Sequence, residues 1–214
     1  MLITNKYIKL FSRRVRKSLC EFTKPDSTLI IIDWDDTLLP TSWLYENRQV
    51  NLLDNSYGAL VAQFLQKSLE LGKVVIITNA SPNWVYQTAE LHLKHILPLL
   101  KEVPICSARQ FSKNKVNDVI FWKYRAFTSV IKYFSAIVHG KKNIISIGDS
   151  QWDKDAVFNV FEANEEIDIV PKAIKFITNP SYDLLCDQII QLTLNLSSIV
   201  SATKPQVYEM KKVW

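Results

Sequence analysis

The sequence predicts an α/β fold: an open parallel sheet of about five strands with helices on both faces. Three observations predict it. Apolar runs of strand length recur five times, amphipathic segments of helical period lie between them, and polar or acidic residues gather where several of the runs end. Strand and helix that alternate in this way build a parallel sheet, and ligands of such sheets bind outside the carboxyl ends of the strands.

Taken in order, Tyr7, Ile8, Phe11, Val15, Leu19 and Phe22 recur at helical spacing with basic residues between them, so residues 1–26 read as a basic amphipathic helix. A helix packed on the domain with a solvated basic face is its simplest reading. Peripheral membrane contact or targeting is the alternative. Ser27-Thr-Leu-Ile-Ile-Ile-Asp33 is the first strand, an unbroken apolar run ending in acids. Further strands are expected at Lys73 to Thr78, Val103 to Ser107, Asn143 to Ile147 and Ala173 to Thr178, with helices at about 54–72, 82–100, 115–139, 152–162 and 181–200. Residues 27–200 then form the core and 201–214 a C-terminal tail, expected to lead into a further region.

The composition fits this plan and removes several chemistries. A chain of 214 residues buries roughly 70% of its unfolded surface, and 48% hydrophobic with 22% charged residues is an ordinary globular balance. Four glycines are too few for glycine-rich phosphate loops of the dinucleotide or P-loop kind. The net charge of +5 is local, because residues 1–20 hold Lys6, Lys9, Arg13, Arg14, Arg16 and Lys17 and no acid. The remainder is close to neutral, which disfavours a nucleic-acid partner. Cys20, Cys106 and Cys186 form no CxxC pair and read as reduced thiols. No uninterrupted apolar run of spanning length and no secretory signal is seen. The expected address is the cytosol.

Chemistry-bearing residues fall at the strand ends. Asp33 and Asp35 leave the first strand two residues apart, so both side chains can share one side. Like charges held that close invite a divalent cation or a raised pKa, although acids at a strand end also open ordinary solvated turns. Thr78 and Asn79 end the second strand with a hydroxyl and a backbone amide suited to a phosphoryl oxygen. Gly148-Asp149 ends the fourth, with Asp153 four residues on, and Lys123 near the start of a long helix can reach the same edge.

Ile30-Ile-Ile-Asp33-Trp-Asp35-Asp-Thr37-Leu, Val74-Val-Ile-Ile-Thr78-Asn79, Lys123 and Ile145-Ser-Ile-Gly148-Asp149-Ser-Gln-Trp-Asp153 together resemble the four motifs of the haloacid dehalogenase (HAD) superfamily. The resemblance runs from about residue 27 to 178. The wording Asp33-Trp-Asp-Asp-Thr-Leu-Leu-Pro-Thr-Ser-Trp43 further resembles a protist- and algal-type subgroup, and the resemblance implies the cytosol of the source cell or, as for effector-type members, that of a host cell into which an intracellular bacterium delivers the protein. Asp36 departs from the pattern, since most members carry glycine there. The resemblance implies a HAD-like (Rossmannoid) fold with Asp33 as nucleophile forming an aspartyl-phosphate. It implies Mg²⁺ held by the Asp33 carboxylate, the Asp35 backbone carbonyl and Asp149, and Asp35 as general acid and base. Thr78 and Lys123 would stabilise the transferring phosphoryl group, with Asn79 and Asp153 in support. An acid two residues after the nucleophile is similar to the phosphatases and phosphotransferases of the superfamily.

Spacing narrows the substrate. Forty residues separate Thr37 from Thr78 and seventy separate Thr78 from Asp149. Core helices and a strand use most of them, so no large cap domain fits. An open site suits large substrates, and a phosphorylated protein, phosphotyrosine first, is the expected one. Trp34, Trp43, Tyr45 and Trp84 flank the motifs and could stack on such a ring, with Trp34 and Trp43 the preferred substrate-binding pair. The rivals are a phosphatase of small metabolites or nucleic-acid ends, and a HAD fold used as a scaffold. A cysteine-based tyrosine phosphatase is excluded, because the positions six after the cysteines are Asp26, Ser112 and Leu192 rather than arginine. His92 and His95 lack a third metal ligand, His139 reads as a helix-end cation, and Ser81 and Ser150 lack a serine–histidine–acid set.

Overall fold

The isoleucine-rich run Thr28–Ile32 forms strand β1 and is buried along its whole length. The structure, a computed structural model, describes residues 21–47, 53–112 and 119–211. The proposed basic helix therefore lies outside the described residues, except for its last few positions. After β1 come a short helix α1 (Thr41–Glu46), α2 (Asn55–Leu71), β2 (Lys73–Thr78), α3 (Pro82–His92), a one-turn α4 (Leu97–Leu100) and β3 (Ile105–Ser107). Then follow α5 (Val119–Ile137), β4 (Lys142–Gly148), α6 (Gln151–Ala163), β5 (Ile169–Lys175), α7 (Tyr182–Ser201) and β6 (Gln206–Glu209).

The strands form one all-parallel sheet in the order β3-β2-β1-β4-β5-β6. The chain runs outward from β1 to β3, then returns to lay β4 on the other side of β1. Connections therefore diverge between β1 and β4, and their carboxyl ends flank the crevice where such sheets bind ligands.

Residues of alternating parity in each strand face opposite layers. Ile30, Ile32, Ile76, Ile145 and Ile147 pack under α2, α3 and α7, against Tyr57, Phe64, Val85, Leu185 and Leu192. Leu29, Ile31, Ile77 and Ile144 pack under α5 and α6, against Phe127, Ile131, Val157 and Val160. Each fully buried aliphatic side chain contributes about 1.5–3 kcal/mol, so both layers resist rearrangement of the strand ends between them.

Local signals set the helix starts. Asp54, Ser81, Ser150 and Ser181 each accept a backbone N–H three residues on. The helix expected over 82–100 ends at His92, where Leu93 leaves the helical region (φ −131°, ψ 44°), and the chain resumes as a single turn Lys94–Ile96 and α4, which tolerates Pro98 in its first turn. α1 is an addition to the expected elements.

Two expectations need correction. The sheet has six strands rather than about five, and the sixth comes from the expected tail: Gln206–Glu209 pairs with Lys172–Lys175. It was hidden because it is four residues long and alternates between half-buried and exposed, as an edge strand does. β5 starts at Ile169, four residues before the expected Ala173, and ends at Lys175. Pro171 obscures that start, and the strand tolerates it for a geometric reason. Phe176 donates toward β4, so odd-numbered residues of β5 direct their N–H groups away from it, and β6 pairing begins only at Lys172. Finally, α7 is long and apolar enough to cross a membrane by length and composition alone. Its Leu185, Ile189, Leu192, Leu196 and Ile199 are core residues, while Asp183 and Asp187 interrupt the apolar run.

Candidate active site

β1 carries Asp33 out of the sheet core at its carboxyl end, where its N–H bonds to the Ile147 carbonyl of β4 at 2.9 Å. The next residues turn tightly around the Trp34 carbonyl, which accepts from Leu38 at 2.9 Å and Leu39 at 3.0 Å. Asp36 takes a left-handed conformation, φ 53°, which aspartate tolerates better than most side chains. Its carboxylate accepts from the Ser42 N–H at 2.8 Å and from the Ser42 hydroxyl. Ser42 in turn reaches Asn179 in the loop after β5. The aspartate standing where glycine was expected thus closes the loop onto α1.

Trp34 points the other way. Its ring is wholly buried and its indole N–H bonds to Thr88 of α3, which corrects its assignment as a substrate-stacking residue. A large apolar ring on the core side of the strand has no route to the rim. Trp43 is half-buried and packs on Tyr182, ring centroids 5.2 Å apart.

The other residues converge as their strand-end positions suggest. Lys123, on the first turns of α5, is 3% exposed and places Nζ 2.6 Å from Asp33 Oδ2 and 2.6 Å from Asp153 Oδ1. Asp153 is 2% exposed and its other oxygen contacts the Ser150 hydroxyl. Gly148 permits this, since a Cβ there would lie 2.4 Å from Asp153 Cγ. Across the crevice, Asp35 Oδ1 accepts from Thr41 Oγ1 at 2.7 Å and from Trp84 Nε1 at 3.0 Å, and Oδ2 lies 3.4 Å from Thr78 Oγ1. Thr78 Oγ1 accepts the Ala80 N–H, and Asn79 offers its carbonyl to Arg109 Nε at 2.6 Å.

Oxygens of Asp33, Asp149 and Asp153 all lie within 4.8 Å of one another, an all-oxygen cluster that could hold a metal ion. Lys123 is the ammonium that bonds into it, and three carboxylates exceed one positive charge. Asp33 Oδ1 accepts the Trp34 N–H and Oδ2 accepts Lys123. Asp149 differs: among the described residues none donates to its carboxylate, while Lys175 and Thr178 hold its backbone carbonyl. The residues present therefore fit a hard dication, with Asp149 supplying the uncommitted donor.

The electrostatics follow from burial. Desolvation first, and then the charges of Asp153 and Asp149, push the Asp33 carboxyl well above its ordinary range against the opposing pull of Lys123. Burial and Asp153 push Asp149 up to about 7. Burial acts to lower the Lys123 pKa, but Asp153 and Asp33 outweigh it and hold the ammonium above its usual value.

Asp33, Asp35, Thr78, Lys123, Asp149 and Asp153 thus come together, with Asn79 one residue behind Thr78. Sequence reasoning missed Thr41 and Arg109, and it placed Trp84 beside the motifs without foreseeing its indole bond to Asp35. Thr41 sits within the motif wording already singled out, so its hydroxyl was a readable signal. Arg109 had none, because only the β2–β3 pairing brings it to the rim. The chain matches no protein-family model and no curated protein.

Proposed function

We propose that the protein is a Mg²⁺-dependent phosphatase of the HAD type that hydrolyses phosphate monoesters through an aspartyl-phosphate on Asp33. One observation carries the reading. A buried carboxylate at the end of the central strand is held by Lys123 at 2.6 Å and shares its surroundings with the uncommitted carboxylate of Asp149, while a second acid, Asp35, stands opposite on Thr41, Trp84 and Thr78.

Asp33, Asp149 and the Asp35 backbone carbonyl would hold the ion. When bound, it would neutralise charge between Asp33 and an anionic phosphoryl group. Asp33 attacks phosphorus, forming the Asp33 O–P bond as the bond to the leaving oxygen breaks, and Asp35 gives that oxygen its proton. Asp35 then takes a proton from water, whose oxygen attacks phosphorus and releases the Asp33 carboxylate and inorganic phosphate. Lys123 has three N–H donors and spends two on Asp33 and Asp153. The third serves a phosphoryl oxygen, with Thr78 on the other flank. Asp153 positions Lys123.

A large substrate fits this reading, a phosphotyrosine-bearing protein first. Between Leu38 and Leu71 the described residues contain only α1 and α2, and α2 spends one face on the core. Among the described residues of that stretch there is no cap domain over Asp33 and Asp35.

The test is phosphate release from p-nitrophenyl phosphate with Mg²⁺ or with EDTA, for the natural chain and for Asp33→Asn. Mg²⁺-dependent turnover lost in the variant is the expected result. No turnover by a chain that binds Mg²⁺ would overturn the proposal.

A further inference from the structure

We propose that Arg109 is a specificity residue that favours phosphoesters carrying a carboxylate beside the reacting group, as an acidic phosphopeptide does; this rests on the phosphatase reading above. Arg109 lies in the single turn Ala108–Phe111 that follows β3, two residues past Ser107, the register partner of Thr78. Its Nε donates to the Asn79 carbonyl at 2.6 Å. That contact fixes the plane of the guanidinium and leaves the terminal nitrogens without a partner among the described residues. The side chain is exposed.

The other cations of the rim are spent inward. Lys123 is buried between Asp33 and Asp153. Lys175 donates to the carbonyls of Asp149 and Phe176 and to Thr178. Arg109 keeps a planar fork of donors turned to solvent, the geometry that binds carboxylates in a bidentate manner.

Its place says which part of a substrate it meets. Asn79 follows Thr78, and Thr78 Oγ1 is 3.4 Å from Asp35 Oδ2, so Arg109 stands on the flank of the acid that protonates the leaving group. Asp33, Asp35, Asp36, Asp149 and Asp153 make the crevice repellent to an anionic leaving group. Arg109 offsets that repulsion on this flank and converts it into selectivity.

The experiment uses the full chain with Mg²⁺ and two phosphotyrosine peptides that differ only in Glu or Gln beside the phosphorylated residue. Natural Arg109 is compared with Arg109→Gln and Arg109→Lys. The natural chain should prefer the Glu peptide by about fivefold in kcat/KM, the scale of one exposed pair. The preference should lie in KM and shrink with added salt. Arg109→Gln should bring the ratio near one, and Arg109→Lys should restore part of it. The ratio isolates charge recognition from any shift of Asn79, because both peptides meet the same variant. An equal ratio in the natural and Gln forms overturns the inference. A preference for free phosphotyrosine over tyramine phosphate without one between the peptides overturns the peptide source. No turnover of any phosphoester overturns the phosphatase reading and this inference together.

Discussion

The indole N–H of Trp84 donates to Asp35 Oδ1 at 3.0 Å, so the first turn of α3 holds the acid of the neighbouring strand end. Ser81 caps that helix through the Trp84 N–H, and Thr41 Oγ1 grips the same carboxylate oxygen. Asp35 is thereby fixed toward the crevice from two elements, a rigidity that its proposed proton transfer to a leaving group requires.

Replacing Trp84 with Phe keeps the ring and removes the donor. A hydrogen bond to a charged group contributes about 1.5–3 kcal/mol, and Thr41 remains, so kcat on an aryl phosphate should fall about tenfold with KM little changed. Steady-state kinetics read this directly. An unchanged kcat would show that Thr41 alone positions the acid.

Lys123→Met should cost more stability than activity alone explains. The variant leaves Asp33 and Asp153 buried and without their counter-charge, and breaking a buried pair by removing one partner costs about 3–5 kcal/mol. Denaturant unfolding in EDTA at neutral pH should show that loss. Part of it should return at acid pH, where the Asp33 carboxyl, raised by burial, takes up a proton.

Much of this arrangement was legible in the sequence, and for a physical reason. Parallel strands buried on both faces read as unbroken apolar runs, so Ile30–Ile32 and Ile144–Ile147 declared themselves, and with them Asp33 and Asp149 at their ends. Lys123 and Asp153 followed from their distance to those ends. What failed depended on pairing or on the direction of one side chain. Gln206–Glu209 becomes a strand only because β5 offers it an edge. Trp34 alternates away from Asp33 and Asp35, so its proximity in sequence placed it in the core. Arg109 reaches the rim, and the Trp84 indole reaches Asp35, through tertiary contacts that no local pattern encodes.

Asp149 gives the metal-free protein a pH-dependent contribution to stability. Its carboxyl titrates near 7 when folded, against 3.8 ordinarily, through burial and Asp153. Between those values the folded chain holds a proton that the unfolded chain has lost, so this contribution to stability is fully present below about 4 and falls as pH rises toward 7. Asp33 acts in the same direction. Three units correspond to at most about 4 kcal/mol. In EDTA the melting temperature should therefore drop between pH 5 and pH 8. Added Mg²⁺ should raise it far more at pH 8, where the carboxylate is free to bind, than at pH 5. Equal Mg²⁺ stabilisation at both values would remove Asp149 from the metal site.

Gly148→Ala tests whether the crevice depends on the close approach of β4 to α6. The new methyl would stand 2.4 Å from Asp153 Cγ and 2.5 Å from Oδ2, nearer than non-bonded carbon tolerates. Backbone strain is not the issue, because Gly148 does not adopt a positive φ. The Asp153 carboxylate must yield, and it is held by Lys123 on one side and Ser150 on the other. Overpacking of this kind costs about 1–3 kcal/mol. Displacing Asp153 also frees Lys123 to collapse onto Asp33, so the proposed nucleophile loses its alignment. Gly148→Ala should unfold at lower denaturant and lose at least tenfold in kcat. Asp153→Asn, which keeps the space and removes the charge, should lose activity with the smaller stability change. A Gly148→Ala chain with full activity would show that Asp153 does not position Lys123.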